Sequence, residues 1–172
     1  LSSDKAEKES ISQRRRLLGE ELSRIQKEQE TSGAQILDAL EKSVSKLPDE
    51  NGGFLHVSGL TFTVDMSVPS TVVVDDKGNF VEVSGERRVK DVKVGGEDLD
   101  PAKTYTLASH NYMLKSGGDG FNMFINDKLL QDEVMLDNQV LITYITENLG
   151  GVIGEEYAEP YGQGRITIIN AD

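Results

Sequence analysis

Phe54-Leu55-His56-Val57-Ser58-Gly59-Leu60-Thr61-Phe62-Thr63-Val64 is the stretch where the chain changes its period. Apolar and polar residues alternate from Leu60 to Val64, the two-residue repeat of a strand with one face in a core. Phe54-Leu55-His56-Val57 reads as a neighbouring strand, with Ser58-Gly59 between them as a bulge or tight bend. Upstream of this stretch the repeat is helical. Ile36, Leu37, Leu40, Val44 and Leu47 share one face of a helix expected over residues 33–46. Ser32, followed three positions later by Gln35, is a capping-box pattern at its start. Pro48 and Asn51-Gly52-Gly53 form a turn after it.

Downstream, Thr71–Val74, Phe80–Ser84, Val89–Val94 and Thr104–Ser109 read as further strands. Turn signals separate them: Asp76-Lys77-Gly78-Asn79, Gly95-Gly96 and Asp100-Pro101. A second helix is expected from Asn138 to Asn148, with Asp137 as N-cap and Val140, Leu141, Tyr144 and Ile145 buried. Gly150-Gly151 ends it. Arg165–Ile169 is a closing strand. Short strands joined largely as antiparallel hairpins, packed with helices, define an α+β class.

Residues 1–30 differ from the rest. They contain no proline and a single glycine, and Ile11, Leu18, Leu22 and Ile25 fall on one helical stripe. Glu20 and Arg24 form a favourable i,i+4 pair. A long amphipathic helix is expected here, ahead of a domain running over 32–172. Residues 1–31 form the preceding segment. The stripe needs cover, either from the rest of the chain or from a second copy, so a homo-oligomer through residues 1–30 is one expectation. Arg14-Arg15-Arg16 fits a solvated helix face better than an anion site.

Composition narrows the function classes. The 172 residues suffice for one ordinary domain with a real core. Residues 1–32 carry seven acidic and seven basic side chains, whereas 33–172 carry 23 and 11, which places the whole net charge of −12 in the second part. Such a surface repels phosphate backbones, so no nucleic-acid partner is expected. No apolar run is long enough to span a bilayer, and no signal peptide is recognisable. With no cysteine there are no disulfides, thiolate nucleophiles or cysteine metal sites. His56 and His110 lack partners at metal-ligand spacing and read as structural residues. Asp75-Asp76 and the Asp98/Asp100 pair sit in turns, where aspartate is favoured for local reasons. No P-loop, dinucleotide fingerprint or local Ser-His-Asp arrangement occurs. Neither a catalytic nor a metal-binding residue is assigned, and no cofactor is expected in this chain.

Ser109 to Phe124 is less ordinary. Gly117-Gly118-Asp119-Gly120 surrounds one carboxylate with glycines that permit positive φ and close backbone approach. An aspartate can accept two hydroxyl hydrogen bonds, which suits a ribose diol. Tyr112, just upstream, could lie flat on a base. Residue physics favours a glycine-rich turn between aromatic core residues, with a nucleoside site as the alternative.

The chain resembles the C-terminal domain of the 5'-nucleotidase and UDP-sugar hydrolase family. The match runs through Gly33-Ala34-Gln35-Ile36 to Leu40-Glu41, then Gly53 to Leu60. Asp100-Pro101, Tyr105-Thr106-Leu107-Ala108, Asn111-Tyr112 and Gly117 to Phe121 continue it, and Tyr161-Gly162-Gln163-Gly164-Arg165 ends it. The resemblance implies a domain that binds the nucleoside part of a nucleotide and delivers its phosphate to two metal ions held in a separate metallophosphoesterase domain. By position it implies Tyr112 as a base-stacking aromatic, Asp119 as the ribose-binding carboxylate, and Gly117 and Gly118 as the residues shaping its loop. Phe121 is the fallback stacker. It also implies a secreted, periplasmic or wall-attached parent enzyme. Departures are clear. The family's glycine-rich Ile-Arg stretch and its Pro-Phe segment have no counterpart here, and Tyr112 lies one residue further from Asp119 than in some relatives. The chain is therefore expected to bind a nucleoside or nucleotide without hydrolysing it. The alternatives are an interaction or assembly module, or a rearranged or engineered version of the domain.

Overall fold

A computed structural model describes residues 29–132, 135–159 and 164–171. Of the helix expected over residues 1–30, residues 1–28 lie outside them. At its end the expectation fails: Gln29–Ser32 is a strand, β1. Gln29 and Thr31 are buried while Glu30 and Ser32 face outward, so this short segment has a strand's alternation and belongs to the sheet.

β1 runs between β7 (Thr104–Leu107) and β8 (Lys128–Leu129), antiparallel to both. A second sheet has the order β6-β5-β2-β9, from Glu97–Asp98, Val89–Val94, Leu60–Asp65 and Ile166–Ile169. β2 and β9 are parallel; the other pairs in this sheet are antiparallel. β3 (Val72–Val74) and β4 (Phe80–Val83) form a separate hairpin.

Helix α1, Gly33–Ser43, joins the parts. Its N-terminus shows the expected capping box: the Gln35 amide donates to Ser32 Oγ, and the Ser32 amide to Gln35 Oε1 at 2.9 Å. Ile36, Leu40 and Val44 pack on Phe62, Val64, Val89 and Val92 of the second sheet. Ala39 faces a smaller core with Phe121, Phe124 and Leu114, the last on the short helix α2, Asn111–Leu114. Each fully buried aliphatic or aromatic residue here contributes about 1.5–3 kcal/mol of transfer free energy. Glu41, on α1, is buried and accepts the amides of Arg88 and Val89 at 2.9 and 3.0 Å.

Phe54–Val57 is not a strand. Phe54 and Val57 pack on the first core and Leu55 on the second. The alternation therefore records a segment threaded between two cores, not one face of a sheet. Two of its amides are paired outside any sheet, Phe54 with the Asn51 carbonyl and Leu55 with Ser43 Oγ at 2.8 Å.

Near the C-terminus, α3 spans Asp137–Thr143 and continues as a π-helical turn, Tyr144–Asn148. The N-cap position is Leu136, not Asp137. Leu141 and Tyr144 are exposed, contrary to the expected burial, whereas Thr143 is buried and Val140 and Ile145 are half-buried. The periodicity therefore did not decide which of these residues the described chain covers. No described helix is long and apolar enough to cross a membrane.

Candidate functional site

The Gly117–Gly120 loop follows α2, whose Leu114 anchors it in the second core. Gly117 and Asp119 both take left-handed backbone angles, φ 63° and 55°. A non-glycine residue in that region is uncommon, and it turns the Asp119 side chain away from the core. Asp119 is exposed. Among the described hydrogen bonds its carboxylate accepts one, from the Tyr112 hydroxyl at 3.3 Å. The Tyr112 ring lies directly on Gly118, where any Cβ would overlap it. Tyr112 is itself 55% exposed, with His110 stacked behind it at 6.1 Å between ring centroids.

The fold brings distant segments to this loop. Phe121 and Phe124 bury its far side, so Phe121 is a core residue and presents no free face for stacking. Gln29 Nε2 donates to the Phe124 carbonyl at 2.6 Å, and Gln35 Nε2 to that of Met123 at 2.7 Å. The β3–β4 hairpin packs from another side. Asn122 Nδ2 donates to the Phe80 carbonyl at 3.0 Å, and a Cβ on Gly120 would overlap the Gly78 carbonyl. The same hypothetical Cβ would stand 2.9 Å from Lys42 Cε, so the lysine stem crosses over Gly120. Gly120 has φ 83°, and no other residue fits there.

These elements enclose an open cavity of about 540 Å3. Tyr112, Gly117 and Asp119 line it, together with Lys42, Lys46 and Lys77. Gly118 lies under the Tyr112 ring, outside the lining. Burial holds the Lys42 ammonium below its ordinary value, and Lys46 adds to this; Asp119 opposes both. The three lysines escaped the sequence reading because nothing in local spacing relates a hairpin tip to a helix end.

The remaining candidates take structural or surface roles. His56 and His110 are exposed rather than held in a core, the former edge-on to Phe54 at 5.6 Å. Asp75 accepts the amides of Lys77 and Asn79 and the Asn79 side chain, closing the hairpin turn. Asp98 pairs with Lys93, and Asp100 accepts the Ala102 amide. Among the described residues no group of three or more histidines or carboxylates is placed to hold a metal ion. The described residues therefore do not form a two-metal centre of their own.

Residues 28–126, more than half of the chain, match the family model for the 5'-nucleotidase C-terminal domain. The chain belongs to that family. It is 33% identical over 143 residues to an apyrase of Tabanus yao, covering 80% of this chain and 23% of that protein. It is 26% identical over 91 residues to the trifunctional nucleotide phosphoesterase YfkN of Bacillus subtilis, covering 53% of this chain and 6% of that protein. Among solved structures, a 5'-nucleotidase precursor from Thermus thermophilus superposes with a TM-score of 0.64 at 29% identity, over 84% of this chain and 25% of that one. The chain thus spans a quarter or less of each of these relatives. The 5'-nucleotidase C-terminal domain match contains α1, the β3–β4 hairpin and the whole Gly117–Gly120 loop. Tyr161–Gln163, at the end of the sequence resemblance, lie outside the described residues.

Proposed function

We propose that this domain binds the nucleoside part of a nucleotide, as the substrate-binding domain of a 5'-nucleotidase-type phosphohydrolase. The observation that carries the reading is Asp119: a carboxylate held at positive φ, exposed, beside an exposed tyrosine ring at the mouth of a cavity. Two oxygens in that position suit a vicinal diol. Tyr112 offers one face to a base. Single-sided stacking contributes ~1–3 kcal/mol, so affinity in the millimolar range is expected. Hydrolysis requires metal-activated water, which the described residues are not built to supply, so the domain acts on phosphate esters only with a metallophosphoesterase domain. Family resemblance supports a secreted, periplasmic or wall-attached parent enzyme. Calorimetry with adenosine on the wild type and Asp119→Ala tests the reading: heat lost in the variant supports it, and equal heats overturn it.

A second reading, an assembly module, is favoured by one observation. Leu136, Leu141, Ile142, Val152 and Ile153 are each exposed around α3. Single exposed apolar residues are ordinary, but five within residues 136–153 favour a contact surface. The occupant in this reading is a second copy of the chain, and solution mass by light scattering decides it: a monomer at all concentrations excludes it.

A further inference from the structure

Two apolar faces in this chain need cover. One lies around α3, where Leu136, Leu141, Ile142, Val152 and Ile153 are exposed. The other is the sequence stripe Ile11, Leu18, Leu22 and Ile25, in the part of the chain ahead of the described residues. Strand register brings both parts to one place. β1 and β8 are antiparallel, with Gln29 opposite Leu129 and Glu30 opposite Lys128. Lys128 Nζ also donates to Glu30 Oε1 at 3.0 Å. Running back from Gln29 and running on from Leu129 therefore leave the sheet at the same end. The chain that enters β1 and the chain that leads on to α3 start side by side.

We infer that residues 11–25 dock as a helix on the α3 face of their own chain. Reach, length and charge all favour this occupant. At ~1.5 Å per residue, a helical stripe from Ile11 to Ile25 is about 21 Å long, and α3 with its π-helical turn about 18 Å. Between Lys128 and Arg165 the sequence has seven acidic side chains and no basic one. Between Glu9 and Glu20 it has three basic side chains, Arg14, Arg15 and Arg16, and no acidic one. Helical spacing sets Arg14 and Arg15 on the two borders of the stripe, each three or four residues from Ile11 and from Leu18. A docked stripe thus brings a cationic rim onto an acidic, apolar surface, while the guanidinium ends stay in water. The α3 region of a second copy would bring only the same acidic charge, and like charges oppose that contact. The inference is independent of the nucleoside reading, and it competes with a second copy for this face.

The experiment uses the full chain and reads hydrogen exchange of the α3 amides. Leu18→Asp/Leu22→Asp should speed exchange over residues 137–148 by about tenfold or more and raise hydrophobic-dye binding, with the Gly117–Gly120 loop unchanged. Arg14→Gln/Arg15→Gln should give a smaller increase, which added salt reproduces in the wild type. The chain has no cysteine of its own. Leu22→Cys/Ile142→Cys therefore carries a single thiol pair for a short bismaleimide, and the cross-linked product should keep the mass of a monomer. Exchange over α3 that matches wild type in the leucine variant overturns the inference. So does a cross-linked dimer from an equal mixture of Leu22→Cys and Ile142→Cys chains, which gives the face to a second copy. Faster exchange at α3 together with a cross-link inside one chain upholds it, whatever heat adenosine gives in the same samples.

Discussion

The Tyr112 hydroxyl donates to Asp119 Oδ1 at 3.3 Å while the tyrosine ring covers Gly118. The bond is long and exposed, so it orients the carboxylate without consuming it. In the proposed complex a ribose diol would compete with that hydroxyl for one oxygen and meet the other free of the described hydrogen bonds.

The two roles proposed for Tyr112 can therefore be separated. Tyr112→Phe keeps the ring and frees the oxygen, so adenosine should bind at least as tightly as in wild type. Tyr112→Ala removes the stacking face, which is worth ~1–3 kcal/mol, and should weaken binding about tenfold. Titration of both variants checks this; equal loss in both would show that the hydroxyl, not the ring, meets the ligand.

Gly120→Ala should be destabilising by on the order of 2 kcal/mol, since it combines positive φ with overlap of the Gly78 carbonyl. Adenosine binding should fall with it, because the hairpin and the loop separate. Urea unfolding with calorimetry measures both. A variant as stable as wild type would show that the hairpin does not press on the loop.

Glu41→Ala should cost about 1–3 kcal/mol for each of the two buried amides it orphans, those of Arg88 and Val89. Glu41→Gln retains one acceptor oxygen and should cost about half as much. Chemical denaturation of the pair gives the ratio. An alanine variant no worse than glutamine would mean that water replaces the carboxylate.

Asp75 predicts an acid dependence. Hydrogen bonds from the Asn79 side chain, then from the Asn79 amide, hold its carboxyl below the ordinary carboxylate range. A folded value below the unfolded one, about 3.9, adds stability that is complete above that pH and is lost as pH falls through the folded value. Asp75→Asn should therefore lose less stability than wild type between neutral pH and pH ~2. Parallel urea midpoints for the two proteins across that interval would contradict the assignment.

Deleting residues 1–28 leaves β1 whole, and the remaining chain should keep its circular dichroism and its adenosine heat. Deleting 1–32 removes a central strand, the buried Gln29 and Thr31, and the Ser32 cap, and should abolish folding. Light scattering on the shorter deletion also tests whether residues 1–28 hold copies together.

Much of this was legible in the chain itself, and the limits have specific causes. The capping box at Ser32 and Gln35, the buried face of α1, the β5 span Val89–Val94 and the α+β class follow from neighbours a few residues apart. Local propensity and periodicity report such contacts directly. Gln29 and Glu30 belong to a strand and not to the helical run before them, because a four-residue strand carries too little pattern to stand against that run. Phe54–Val57 misled for the converse reason, since its alternation serves two cores.

Asp119, Tyr112 and the glycine loop could be picked out from sequence alone, because backbone freedom and residue chemistry are local properties. What only tertiary structure decided is which charges face them. Lys42 and Lys77 lie far apart along the chain, and they share a cavity because α1 and the β3–β4 hairpin pack against opposite sides of Gly120. That convergence is a product of core packing, a long-range property that no short window of residues encodes.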